Sequence, residues 1–280
     1  MRLAWSEQFD PKNLRPVTAL SLEGPITREW AWGGADGEGV RVAVVDSGVE
    51  ATHPAVGEVA GAVAIRRDPA SPDAATTTDE TPQDVAGHGT ASAGIIRAIA
   101  PRVELHSVRV LDEMLHGDGA VLAAALRWAI DNGMQVVNLS LSSRKREHYA
   151  VLHELVDTAY FRGMMVVCAI SNVEAPSYPS SFASFASVFS VAAHAARHPF
   201  ALDFNPRPPV EIGAPGIDVE VPWRGGSTIR TSGNSYAAAH VSGLVARILS
   251  KHPGLAPFQM KTVLHAVATN ARAQSCADMP

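Results

Sequence analysis

Residues 42–48 read Val42-Ala43-Val44-Val45-Asp46-Ser47-Gly48, an apolar run that stops on a carboxylate followed by a turn. Consecutive small and β-branched apolar residues fit a strand buried on both faces. The run begins at Val40, and five others share its character: Val59–Ile65, Val103–Val110, Gln135–Leu141, Met164–Ile170 and Val188–Ala193. Helix-period segments lie between them at Thr90–Ala98, Ala120–Asn132 and His148–Arg162, and a last long one covers Tyr236–Ser250. Apolar strands alternating with helices predict a single α/β domain whose predominantly parallel central sheet carries helices on both faces. Asp68–Thr81, rich in Ala, Asp, Pro and Thr, reads as a surface loop, and so does Asn205–Pro209. No internal repeat and no second domain are marked.

The chain has 280 residues, 23 Lys and Arg against 28 Asp and Glu, and 46% hydrophobic residues. That content excludes disorder of the whole chain. A net charge of −5 gives no electrostatic reason to expect nucleic acid or an anionic membrane as partner. The two cysteines, Cys168 and Cys276, cannot build a disulfide scaffold, and Cys168 reads as a buried thiol. His153-Glu154 is followed by Asp157 where a zinc-binding helix needs a second histidine, so no metal is expected there. Met1–Glu7 lacks the apolar core of a secretory signal, and Met164–Ile170 is too short to span a bilayer. The expectation is a cytoplasmic protein.

Ligands of open α/β sheets gather beyond the carboxyl ends of the strands. Three reactive residue types fall there: Asp46 at a strand end, His88 in Gly87-His88-Gly89-Thr90, and Ser235 in Gly233-Asn234-Ser235-Tyr236-Ala237-Ala238. Together they supply what acyl transfer needs. Serine is a poor nucleophile at neutral pH, so an imidazole must take its proton and a carboxylate must orient that imidazole.

The chain resembles the subtilisin-like serine peptidases, whose order of Asp, His and Ser it shares. The likeness runs from about Gly39 to Ala268 and rests on Val44-Val45-Asp46-Ser47-Gly48-Val49, His53-Pro54, Gly87-His88-Gly89-Thr90, the serine segment and Ala214-Pro215-Gly216. It implies a subtilisin-like fold over residues 39–270, with 1–38 as an N-terminal extension and 271–280 as a tail expected to fray. It implies catalytic roles for Asp46, His88 and Ser235, and an oxyanion donor at Asn172 in Ala169-Ile170-Ser171-Asn172. The backbone N–H of Ser235 would be the second donor. An extended peptide or protein substrate would pair with Ser140-Leu141-Ser142 on one edge and approach Gly117 and Gly119 on the other. Asn138 reads as structural.

Departures from the family matter as much. Ala55 replaces the aspartate that usually follows the His-Pro pair, and Ile95–Ile99 runs directly into Ala100-Pro101 with no calcium-binding loop. The expectation is therefore no metal at that site and no cofactor. Fewer than about forty residues precede the first strand, too few for a separate folding domain, although 1–38 could cross the active site or brace the domain. Ser142 and Ser171 stand where relatives carry glycine, which predicts a preference for small side chains before the cleaved bond; Glu174 would alternatively attract a basic one. Ala239 stands where relatives usually carry proline.

The leading reading is a cytoplasmic serine endopeptidase that processes a limited set of peptides or proteins. A peptide ligase or macrocyclase using the same acyl-enzyme is the alternative. A silent binding module is disfavoured by the presence of Asp46, His88, Ser235 and Asn172 together. Oligomeric state is left open.

Overall fold

The computed structural model describes residues 12–13, 24–182, 186–207 and 209–271. In chain order the helices are α1 Arg28–Trp32, α2 His88–Ile99, α3 Gly119–Asp131, α4 Tyr149–Phe161, α5 Asn234–Lys251 and α6 Pro257–Val267. The strands are β1 Arg41–Asp46, β2 Gly61–Asp68, β3 Ser71–Asp79, β4 Glu104–Arg109, β5 Val136–Leu139, β6 Met165–Ala169, β7 Val188–His194, β8 Asp203–Phe204, β9 Ile212–Pro215, β10 Val219–Trp223 and β11 Ser227–Thr231.

Among the described residues nine strands form one sheet in the order β3-β2-β4-β1-β5-β6-β7-β9-β8, parallel except where the outermost strands β3 and β8 pair antiparallel with their neighbours. β10 and β11 form a separate hairpin. β1 lies near the centre, and its alternation divides the core. Val42 and Val44 point to the face covered by α2, α5 and α6; Ala43 and Val45 point to the face covered by α3 and α4. All six predicted apolar runs are strands, and the four predicted helices are present with slightly shifted ends. A mostly parallel α/β sheet with helices on both faces is what the sequence led us to expect.

α5 is the central helix of its layer. Val241, Leu244, Val245 and Ile248 are fully buried, each such side chain contributing about 1.5–3 kcal/mol through loss of apolar surface from water. It packs against α2 and beneath β5, β6, β7 and β9, so the residue at its N-terminus is fixed at the carboxyl ends of those strands. No described helix is long and apolar enough to cross a membrane.

One expectation fails. The segment read as a loop over Asp68–Thr81 contains β3, paired with β2 from Val63↔Asp79 to Asp68↔Ser71. Thr76, Thr77 and Thr78 are β-branched and suit a pleated strand. β3 is an edge strand with polar residues along much of its length, so it lacks the apolar alternation by which a strand is recognised. The expected loop at Asn205–Pro209 follows β8, with no strand or helix among its described residues.

Residues 24–38 of the N-terminal extension pack against the domain. Arg28 Nε donates to the Val267 carbonyl (3.2 Å), Lys251 Nζ donates to the Gly33 carbonyl (2.9 Å), and the Trp30 and His252 rings stack at 4.1 Å. Ala31 and Trp32 are buried in the core beside α5. Residues 1–11 and 14–23, like residues 272–280 of the expected tail, lie outside the described residues.

Candidate active site

β1 ends on Asp46, which is fully buried, and α2 begins on His88 directly beside it. That approach depends on two glycines. Gly87 has φ +102°, a left-handed conformation that costs glycine little, and a side chain there would strike the Trp223 indole. A Cβ on Gly89 would meet the Gly48 carbonyl and come within 3.0 Å of Asp46 Cβ. With both absent, His88 Nδ1 reaches the two Asp46 carboxylate oxygens at 2.8 and 2.9 Å. Ser47 N–H donates to Asp46 Oδ1 (2.7 Å), and Ser92 Oγ donates to Oδ2 (3.3 Å).

The electrostatics follow from this pairing. Burial alone would raise the Asp46 pKa, but the His88 charge, its hydrogen bond and that of Ser47 outweigh burial and hold it below the usual carboxylate value. Burial alone would lower the His88 pKa; the Asp46 charge and hydrogen bond, with the Asp84 charge behind them, leave it raised.

Ser235 occupies the first turn of α5, and its hydroxyl donates to the Ser140 carbonyl at 3.3 Å. A cavity of about 510 Å³ is lined by His88, Ser235, Asn172, Ser171, Ser140, Leu141, Ser142, Gly117 and Gly119, so these predicted residues meet in one cleft. Asp46 lies behind His88 and outside the lining. Asn172 Oδ1 accepts the Asn234 backbone N–H (3.2 Å), which leaves its amide NH₂ as the donor in hand. Glu174 is exposed and does not line the cavity. Asn138 is fully buried and cross-links Ser140 Oγ (3.0 Å) to Ser242 Oγ (3.0 Å), as a structural residue would.

An imidazole, a hydroxyl and a side-chain amide lining one cleft, with a buried carboxylate bonded to the imidazole from behind, can carry out acyl transfer. The sequence profile of the Subtilase family matches residues 37–278. This chain belongs to the subtilase family. It is 34% identical over 248 residues to subtilisin Savinase of Lederbergia lenta, which covers 85% of this chain and 86% of that one. It is 32% identical over 247 residues to a thermostable alkaline protease of Halalkalibacterium halodurans, covering 84% of this chain but 64% of the relative's length. A solved cold-adapted subtilisin-like serine proteinase superposes with TM-score 0.65 at 26% identity over 82% of each chain. Sphericase shares the fold, with TM-score 0.66 at 24% identity over 86% of this chain and 89% of that one.

Within this subtilase the family's calcium loop has no counterpart after the histidine, because α2 runs unbroken to Ile99 and β4 follows at Glu104. Ala55 offers a methyl group where a carboxylate ligand would be needed, so the residues here do not fit that ion.

Three contributors escaped the sequence reading. Asp84 accepts from Ser47 Oγ (2.8 Å), Gly87 N–H (2.7 Å), and both the N–H (2.8 Å) and hydroxyl (2.7 Å) of Thr90, tying the Asp46 turn to the start of α2. Asn234 uses its NH₂ on the Ile170 carbonyl (3.1 Å) and its Oδ1 on Ala193 N–H (2.8 Å), tying the Asn172 loop to Ser235. Tyr236 places its buried ring 5.5 Å from the His88 ring. An Asp four residues before His-Gly-Thr and an Asn beside the serine were the available signals.

Proposed function

We propose that this subtilase is a serine endopeptidase that hydrolyses peptide bonds through an acyl-enzyme on Ser235. The observation that carries the reading is the bond from His88 to the buried Asp46 carboxylate, made by an imidazole that shares a cleft with Ser235. With Nδ1 committed to Asp46, Nε2 is the nitrogen left to take a proton. Ser235 Oγ must turn from the Ser140 carbonyl toward the imidazole, a loose arrangement common before substrate binds. It then attacks the scissile carbonyl while Nε2 takes its proton, and Asp46 stabilises the imidazolium formed. The Asn172 amide and the Ser235 N–H receive the oxyanion; one such side-chain donor is worth about 2.7–4 kcal/mol, a value that comes from subtilisin itself. His88 next protonates the leaving amine, and water admitted to the ester completes the turnover.

The substrate is an extended peptide or unfolded protein segment between Ser140–Ser142 and Gly117–Gly119. The two glycines support this, because both line the cavity and neither carries a side chain to hold a peptide backbone away. Processing of a limited substrate set in the cytoplasm is the finer part of the proposal. The serines at 142 and 171 support selectivity by narrowing the cleft. Cell fractionation tests the compartment.

The deciding experiment combines a fluorophosphonate probe with a diverse peptide library read by mass spectrometry. Wild type should be labelled and should cleave peptides, and Ser235→Ala should do neither. Undiminished cleavage by Ser235→Ala overturns the proposal.

A further inference from the structure

The cleft wall beyond Ser142 is basic, and nothing in the acyl-transfer chemistry uses that charge. The charged side chains lining the cavity are Asp118, Arg144 and Lys145, with the imidazoles His88 and His148. Asp118 is already engaged: its carboxylate accepts Ala120 N–H (2.8 Å) at the start of α3 and lies 3.7 Å from Arg67. Lys145 is 3.5 Å from Glu147, a pair with both partners largely exposed, and Glu147 also lies 3.6 Å from His148 Nε2. Arg144 has no carboxylate within 4.0 Å among the described residues.

Its backbone is nevertheless held on both sides. Ser143 and Tyr178 exchange backbone hydrogen bonds at 2.9 and 2.8 Å. Ser143 Oγ receives Lys145 N–H (3.2 Å) and bonds His148 Nδ1 (2.8 Å). Arg144 is thus an exposed residue on a fixed segment of the cleft wall, with no carboxylate partner among the described residues. A planar guanidinium matches a carboxylate in bidentate geometry, and a cleft strengthens the attraction relative to open surface.

Building on the peptidase reading, we infer that Arg144, supported by Lys145, selects substrates bearing Asp or Glu on the N-terminal side of the scissile bond. Such a residue extends along the wall that starts at Ser140–Ser142, beyond the small side chain held between Ser142 and Ser171.

The test takes one cleaved library peptide and replaces each residue preceding the cut, in turn, by Glu, Gln or Lys. kcat/KM is measured for wild type, Arg144→Ala and Arg144→Glu. At one position wild type should favour Glu over Gln by about three- to tenfold at low ionic strength, less at about 0.5 M salt. The ratio should fall to about one in Arg144→Ala and turn toward Lys in Arg144→Glu, with fluorophosphonate labelling rates unchanged. A ratio within about twofold at every position, or one that survives Arg144→Ala, overturns the inference while labelling leaves the peptidase reading standing. A wild type that neither labels nor cleaves overturns both.

Discussion

Asn172 and the residue before Ser235 are joined: Asn172 Oδ1 accepts the Asn234 N–H at 3.2 Å. The amide therefore keeps its NH₂ for the cleft and is tied to the segment that carries Ser235, so on the proposed mechanism it serves as the oxyanion donor. Asn172→Ala should lower kcat by about 10²–10³-fold with little change in KM. Asn172→Asp keeps the acceptor but loses the donor, so it should fall at least as far. Steady-state kinetics on one peptide separates donation from mere positioning of the loop.

Asn234 is expected to act at one remove. Removing its side chain frees the Ile170 carbonyl and the Ala193 N–H, which it now satisfies. Asn234→Ala should lower kcat by about tenfold and slow fluorophosphonate labelling, because a small displacement of Asn172 weakens stabilisation of the oxyanion. Unchanged kcat with a lowered Tm would mark Asn234 as a purely structural tie.

The pH profile has a determined sign. On the proposed mechanism neutral His88 is the base, so activity should rise with pH through a value above the ordinary histidine pKa of about 6.5. Asp84 is one of the charges that raises it. Asp84→Asn removes that charge and should move the acid limb of kcat/KM to lower pH. Movement to higher pH would contradict the electrostatic account.

Cleft width sets a fourth expectation. Wild type should cleave after small residues, and Ser142→Gly/Ser171→Gly should gain relative activity after Phe and Leu. A methylene in such a slot is worth about 1–3 kcal/mol, so the shift should be about tenfold. Cleavage by wild type mainly after Phe, Tyr or Leu would refute the narrow slot.

Ala239 bears on the fate of the ester. It is fully buried in α5, four residues after Ser235, where a proline ring would press on the Ser235 carbonyl and remove an N–H. Hydrolysis should dominate in wild type, with measurable joining when an amine is in excess. Ala239→Pro should reduce the joined-to-cleaved ratio. An equal ratio assigns Ala239 to packing alone and removes the support for a ligase.

What could be read in advance was whatever one short segment contains. β1 announces itself because burial on both faces leaves it no polar residue between Arg41 and Asp46, and the segments around His88 and Ser235 carry their chemistry within a few positions. β3 was lost because an edge strand can be threonine-rich and polar. α1 was lost for another reason: five residues carry no periodicity, and what holds them is a set of partners such as Val267 and Lys251, more than 200 positions away. Arg144 belongs to the same class, since a basic run looks like any solvated surface until a cleft is found beside it.

α5 serves the core and the cleft at once. Asp46 and His88 come early in the chain, but Ser235 heads the helix that fills the core on its side of the sheet. A chain lacking that helix has neither Ser235 nor the packing against β5, β6 and β7. Packing of that face of the sheet and the arrival of Ser235 at the cleft therefore depend on one and the same helix.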